Sequence, residues 1–179
     1  MKPYKIPEAE IDLVKACITN DRKAQKTLYD RYKNAMYTSA LRILGNTDEA
    51  SDALQEAFID VFGQINHFRF ESSLGAWIKT IVIRKALHRL KNLNITEPLD
   101  TVSSKEAYEW NNTIDAGYLE KAIQSLPEGT KAVFLLVEVE GFKHKEVSTM
   151  LGISEGTSKS QLNYAKKILQ KILYEYYKQ

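Results

Sequence analysis

Residues 139–169 read VEGFKHKEVSTMLGISEGTSKSQLNYAKKIL, and their pattern predicts two helices joined by a tight turn: 143–151, then Gly152-Ile153-Ser154, then a long helix opened by Glu155. Gly152 tolerates the left-handed backbone that closes a helix, and Ser154 carries a hydroxyl that caps the next one. This is a helix-turn-helix pattern. On a wheel of about 100° per residue, Ser158, Leu162, Ala165, Leu169 and Ile172 fall together, with Gly156, Ser160, Asn163, Lys167 and Lys171 opposite. The first set is suited to packing and the second is free. Small and hydrogen-bonding residues lead the free face and ammonium groups follow. That order suits a helix whose start enters a DNA major groove while later lysines meet phosphate; the alternative is a lysine face turned only to water.

The chain has 179 residues, enough for one domain or two small ones. The charged residues 1–20 do not read as a signal peptide, and no apolar run has the length of a membrane span. A cytoplasmic setting without membrane insertion is therefore expected. Cys17 is the only cysteine, which excludes disulfides within the chain and cysteine-rich zinc sites. Net charge is +2, but its distribution is uneven. Residues 79–91 hold Lys79, Arg84, Lys85, Arg89 and Lys91 with no acid, whereas 48–60 hold Asp48, Glu49, Asp52, Glu56 and Asp60 with no base. The separation predicts two surfaces for two partners.

Ahead of the opening stretch the pattern is helical from Glu8 onward. Ile11, Val14, Ala16 and Ile18 suit a short helix, and Asn20-Asp21 offers a cap. Leu28, Tyr32, Ala35, Met36, Ser39, Ala40, Ile43 and Leu44 recur at helical spacing until Gly45. Asn46 or Thr47 then caps a third helix with Asp48 and Glu49 in its first turn, where the helix dipole favours negative charge. Leu54, Phe58, Val61 and Ile65 form its core stripe. Opposite them Ile59 stands among Asp52, Gln55 and Glu56, with Phe62 at the edge. That is either a scattered surface hydrophobe or a docking patch with an acidic rim for a basic partner.

Residues 66–73, NHFRFESS, are too polar and irregular for helix. Phe68 and Phe70 in this loop either plug the core or offer stacking surfaces to unpaired bases. A fourth helix runs from about 73 to 91, with Ile83, Ala86, Leu87 and Leu90 on its core side. Trp77, Ile81, Arg84, His88 and Lys91 align on another stripe, joining an aromatic to cations as a single-stranded nucleic acid requires. Periodicity collapses over 92–115, an acidic stretch containing Tyr108 and Trp110 that reads as a linker. Helical pattern resumes at Ala116 with Leu119, Ala122, Ile123 and Leu126. Pro127 ends that helix, and 131–139 supply another.

In this order the chain resembles bacterial RNA polymerase sigma factors of the sigma-70 family, specifically the short extracytoplasmic-function (ECF) group with regions two and four alone. Asp52-Ala53-Leu54-Gln55-Glu56-Ala57-Phe58 is similar to the segment of region 2 that grips the beta-prime clamp helices. Residues 68–90, centred on Trp77-Ile78-Lys79-Thr80-Ile81, resemble the part that melts and reads the −10 element. Leu126-Pro127 and Gly156-Thr157-Ser158-Lys159-Ser160-Gln161-Leu162 resemble region 4, which reads the −35 element.

The resemblance implies an all-α protein of two small helical domains: region 2 over 8–91, the linker over 92–115, and region 4 over 116–175. It implies docking to core polymerase by Asp52, Gln55, Glu56, Ile59 and Phe62. The −10 contacts would come from Phe68, Phe70, Ser72, Trp77, Arg84 and His88. The −35 contacts would come from Gly156, Thr157, Lys159, Ser160, Asn163 and Lys167. The implied partners are core polymerase, through its clamp helices and beta flap, promoter DNA, and an anti-sigma factor. Arg84 and His88 stand where asparagine and an aspartate or asparagine are frequent, so −10 base preference is not carried over. Ser148 and Ser158 replace the usual small apolar residues of the helix-turn-helix.

Two other classes share parts of this pattern. An operator-binding regulator with a helical sensor domain would share the helix-turn-helix but need no polymerase. An enzyme would need more than Asp52 and Glu56 on one face with His67, His88 and His144 elsewhere. No HExxH, glycine-rich phosphate loop or nucleophile motif accompanies them, so neither catalysis nor a cofactor is expected.

Overall fold

A computed structural model describes residues 7–96 and 116–178, and every regular element among them is helical. The chain divides into two compact units after Thr96. In the first, α1 (Glu8–Ile18), α2 (Arg22–Leu44), α3 (Thr47–Gln64) and α4 (Leu74–Thr96) assemble with a 3-10 turn at Ile65–His67. Helix α4 continues five residues past the expected boundary at Lys91, so 92–96 are helix rather than linker. The remainder of the expected linker, with Tyr108 and Trp110, lies outside the described residues.

Local chemistry sets the breaks. The Asp21 carboxylate accepts from the amides of Lys23 and Ala24 at 2.7 and 3.2 Å and so starts α2. Gly45, at φ 68°, ends it in a conformation that side chains disfavour. The Asn46 side chain, rather than that of Thr47, caps α3 through the amides of Asp48 and Glu49. Helices α2, α3 and α4 pack pairwise over Leu28, Val61, Leu74, Ile78, Val82 and Ile83, all fully buried. Each such side chain contributes roughly 1.5–3 kcal/mol by leaving water. The core side of α4 lies nearer its start than expected: Leu87 and Leu90 are only half-buried. Ile18, expected in the α1 stripe, is 43% exposed, while Cys17 beside it is buried.

The second unit holds α5 (Ala116–Gln124), α6 (Glu128–Phe134), a π-helical turn at Leu135–Val139, α7 (His144–Leu151) and α8 (Glu155–Tyr177). Pro127 stands just before α6, where its fixed φ and missing N–H suit a helix start. The segment expected as one helix over 131–139 therefore begins at Glu128 and finishes in the π turn, closed by Glu140 N–H donating to Leu135 O at 2.9 Å. Ala122, Ile123 and Leu126 are buried as expected, but Leu119 is 45% exposed. The α7–α8 junction follows the sequence closely: Gly152 has φ 68°, and Ser154 Oγ accepts from Thr157 N at 2.9 Å.

Candidate docking and nucleic-acid surfaces

The acidic face of α3 is not bare. Glu49, Asp52, Glu56 and Asp60 recur at helical spacing, and α4 packs beside them with Lys85 and Arg89 turned their way. The Arg89 guanidinium donates to Glu49 at 2.8 Å, Glu56 at 2.6 Å and Asp52 at 3.0 Å. Lys85 Nζ lies 2.9 Å from Asp60 and 3.9 Å from Glu56. Arg89 is the inner member, its side chain 20% exposed against 60% for Asp52. The hydrogen bond to Glu49 foremost, with the charges of Glu49, Glu56 and Asp52, holds its proton more firmly than usual. The expectation that the acidic and basic segments serve separate partners is therefore corrected: part of each satisfies the other within one unit. The antiparallel packing of α3 on α4 causes this, and charge runs read along a chain do not reveal it. What remains open on α3 is Ile59, 71% exposed, with exposed Gln55 beside it and half-buried Phe62 packed against Phe58 at 6.0 Å between ring centroids.

The basic segment of α4 thus splits by helical position. Lys85 and Arg89 turn to α3, whereas Arg84, His88 and Lys91 are exposed on the other flank, following half-buried Trp77 and Ile81. Ahead of them, Phe68 is only 6% exposed and centres an aromatic cluster, with Phe70 at 4.8 Å and Trp77 at 5.4 Å between ring centroids. Phe68 is consequently a core plug rather than an open stacking surface, because its ring is already enclosed. Phe70 and Trp77 present the accessible parts of that cluster. Phe70 has φ 59°, rare for a bulky residue and a conformation that persists only where its surroundings impose it. Ser72 is half-buried, and its hydroxyl reaches Ser73 O at 3.4 Å.

On α8 the expected faces separate cleanly. Ser158 and Ala165 are fully buried, Leu162 and Leu169 nearly so, while Gly156, Thr157, Lys159, Ser160, Asn163, Lys167 and Lys171 are exposed. Among the described residues Lys159, Lys167 and Lys171 make no ion pair, whereas Lys166 reaches Glu138 in the π turn at 2.8 Å. Ser158, where a small apolar residue is usual, makes a polar contact instead: its Oγ pairs with His144 Nδ1 at 2.8 Å across the α7–α8 contact. Gln161 hydrogen-bonds Thr130 of α6 in the same way. Tyr164, absent from the expected contacts, is 54% exposed one turn after Ser160 and just before Lys167. Its spacing of four residues from Ser160 puts it on that face by helical periodicity, a signal present in the sequence.

Among the described residues there is no group of three or more histidine, cysteine or acidic side chains able to hold a metal ion, and no helix long and apolar enough to cross a membrane.

Comparison with known proteins joins these surfaces to one family. Sigma-70 region 2 matches residues 28–94, and Sigma-70, region 4 matches 116–169. The chain is 27% identical over 167 residues to the ECF RNA polymerase sigma factor SigM of Mycobacterium tuberculosis, covering 92% of this chain and 85% of that one. It is 26% identical to the RNA polymerase sigma-H factor of Pseudomonas aeruginosa, covering 93% and 94%. Its fold is similar to the sigma factor RpoE, solved with the anti-sigma factor NepR from Bartonella quintana, at a TM-score of 0.60 and 20% identity over 83% of this chain and 96% of that one. It is also similar to CnrH, solved with the cytosolic domain of CnrY, at 0.57 and 18% over 94% and 99%. These relatives do not favour the operator-binding alternative. With both regions matched in the family's order, the chain belongs to the sigma-70 family as an ECF-type sigma factor, a protein that binds RNA polymerase and directs promoter-specific initiation.

Proposed function

We propose how that activity is divided among residues. Ile59 forms the centre of the polymerase-docking face and enters an apolar site on the beta-prime clamp helices, with Gln55, Asp52 and Glu56 on its rim and Phe62 at its edge. The observation that carries this assignment is the 71% exposure of Ile59 beside a half-neutralised acidic network. An aliphatic side chain left in water gains only when a partner covers it. In region 4, Gly156, Thr157, Ser160, Asn163 and Tyr164 face the bases of the −35 major groove, and Lys159 and Lys167 meet phosphate. Phe70, Trp77, Arg84 and His88 capture unpaired bases of the −10 element, with Phe68 supporting their rings from beneath. No covalent step is involved: opening is driven by stacking and phosphate contacts, each base stack contributing roughly 1–3 kcal/mol. The anti-sigma factor NepR bound to RpoE, and the cytosolic domain of CnrY bound to CnrH, support a similar partner for this chain, and the beta flap is assigned to region 4 on resemblance to the family.

The test is association of Ile59→Ser chain with core polymerase. Affinity should fall at least about tenfold with helical content unchanged; unimpaired association removes the assignment. Ile59 is the better probe than Glu56, because replacing Glu56 would also release Arg89 and Lys85.

A further inference from the structure

The loop that carries Phe70 lies between the 3-10 turn at Ile65–His67 and the start of α4, and α1 touches both ends. It packs against the 3-10 turn, and its Glu10 side chain reaches across sixty-four residues to accept the Leu74 amide at 2.8 Å. Glu10 is 9% exposed and, among the described residues, the one charged side chain that is buried. The bond is placed where it has most effect: Leu74 opens α4, the first amides of a helix have no partner within it, and a carboxylate there also meets the positive end of the helix dipole. Ser73 Oγ takes the Ala76 amide at 3.2 Å, so two of the amides that open α4 are satisfied from outside the helix ladder. Residues 68–73 are thereby fixed at both ends. Phe70, held at φ 59°, needs such constraint, since a free loop would relax a bulky residue out of that conformation.

We propose that Glu10 is a positioning residue for promoter opening: by anchoring the first turn of α4 it holds Phe70, Ser72 and Trp77 in the arrangement that receives unpaired bases. The inference rests on the assignment of that loop and of α4 to the −10 element. Glu10 itself touches no DNA. A gap in this brace would let the loop sample many conformations, and base capture would fall in proportion to the competent fraction.

The experiment uses holoenzyme assembled from full-length chain and core polymerase, with a linear promoter duplex selected beforehand from a random library by the wild-type holoenzyme. Permanganate reactivity of unpaired thymines measures opening, and association with core polymerase is measured in parallel. Glu10→Ala should reduce opening about tenfold, equivalent to about 1.4 kcal/mol, while polymerase affinity stays within about twofold. Glu10→Gln, which keeps an acceptor oxygen at the same reach, should restore most of the opening. Phe70→Ala tests the underlying assignment. If Phe70→Ala lowers opening and Glu10→Ala does not, the brace is refuted and the loop assignment stands. If Phe70→Ala opens normally, the loop assignment fails and the inference fails with it. Loss of polymerase affinity in step with opening in Glu10→Ala, or no rescue by Glu10→Gln, would reduce Glu10 to a general contributor to stability and overturn the proposal.

Discussion

The acidic face of α3 and the basic face of α8 are each a helical stripe of one charge, and they differ in what they have already bound. On α3, four carboxylates hold the two cations of the neighbouring helix, so half of the acidic charge is compensated inside the unit and an aliphatic side chain stands exposed among what is left. On α8, Lys159, Lys167 and Lys171 stand exposed, and among the described residues no carboxylate meets them. A binding surface built on the first gains from shape and apolar burial, whereas one built on the second gains from counterion release and depends steeply on salt. The charge separation read along the chain therefore does not by itself assign a partner to either face.

The sharpest way to break this comparison is Arg89→Ala. Removing the cation leaves Glu49, Asp52 and Glu56 facing one another with only Lys85 nearby, and should destabilise the first unit by on the order of 2 kcal/mol, less at high salt. Equal stability in a denaturant titration would mean that the network is ornamental and the acidic face available after all. Next in size is Ser158→Ala, which orphans a ring nitrogen of His144 inside the α7–α8 contact and should lower the stability of the second unit by about 1 kcal/mol. A more stable variant would show that the apolar residue usual in the family is also the better one here.

Lys167→Ala should leave stability within about 0.5 kcal/mol, since its side chain is exposed and makes no ion pair among the described residues. Its effect should lie in DNA binding, where the slope of log affinity against log salt becomes shallower by about one. Asn163→Ala should instead change sequence preference. If the two variants behaved alike, the split between phosphate positioning and base reading on α8 would be wrong. The smallest effect belongs to Asp30 on the outer side of α2, whose carboxyl is held down to about 2 by hydrogen bonds from Lys26 and then Lys33. A depressed carboxylate stabilises the fold above its ordinary pKa, and the contribution disappears as pH falls through the lowered value. Because the group lies on the surface, Asp30→Asn should shift the melting temperature by no more than about a degree at pH 7. The difference should vanish towards pH 2. A large shift would show that surface pairs in this chain behave like the Arg89 network.

Much of this molecule was legible in advance. The helix-turn-helix follows from Gly152 and Ser154, whose chemistry is local: one permits a left-handed backbone and the other satisfies an amide three residues on. The two faces of α8 follow from periodicity, since a helix buries whichever side is apolar. The boundary of α4 was less legible, because polar residues after Lys91 weaken an amphipathic pattern without stopping a helix. Phe68 could not be assigned: a loop aromatic is equally suited to a core and to a base, and only its enclosure by neighbouring rings decides.

From residue order alone came the helical class, the two regions, the turn that presents α8 and the family to which they belong. Tertiary structure alone decided which charges remain free, that Arg89 occupies the acids of α3, and that Glu10 reaches the start of α4. The reason is distance along the chain. Caps, turns and helical faces are made by residues within a few positions of one another, so their pattern is written in sequence. An ion pair between residues 49 and 89, or a hydrogen bond between 10 and 74, exists only once packing has brought separate helices side by side.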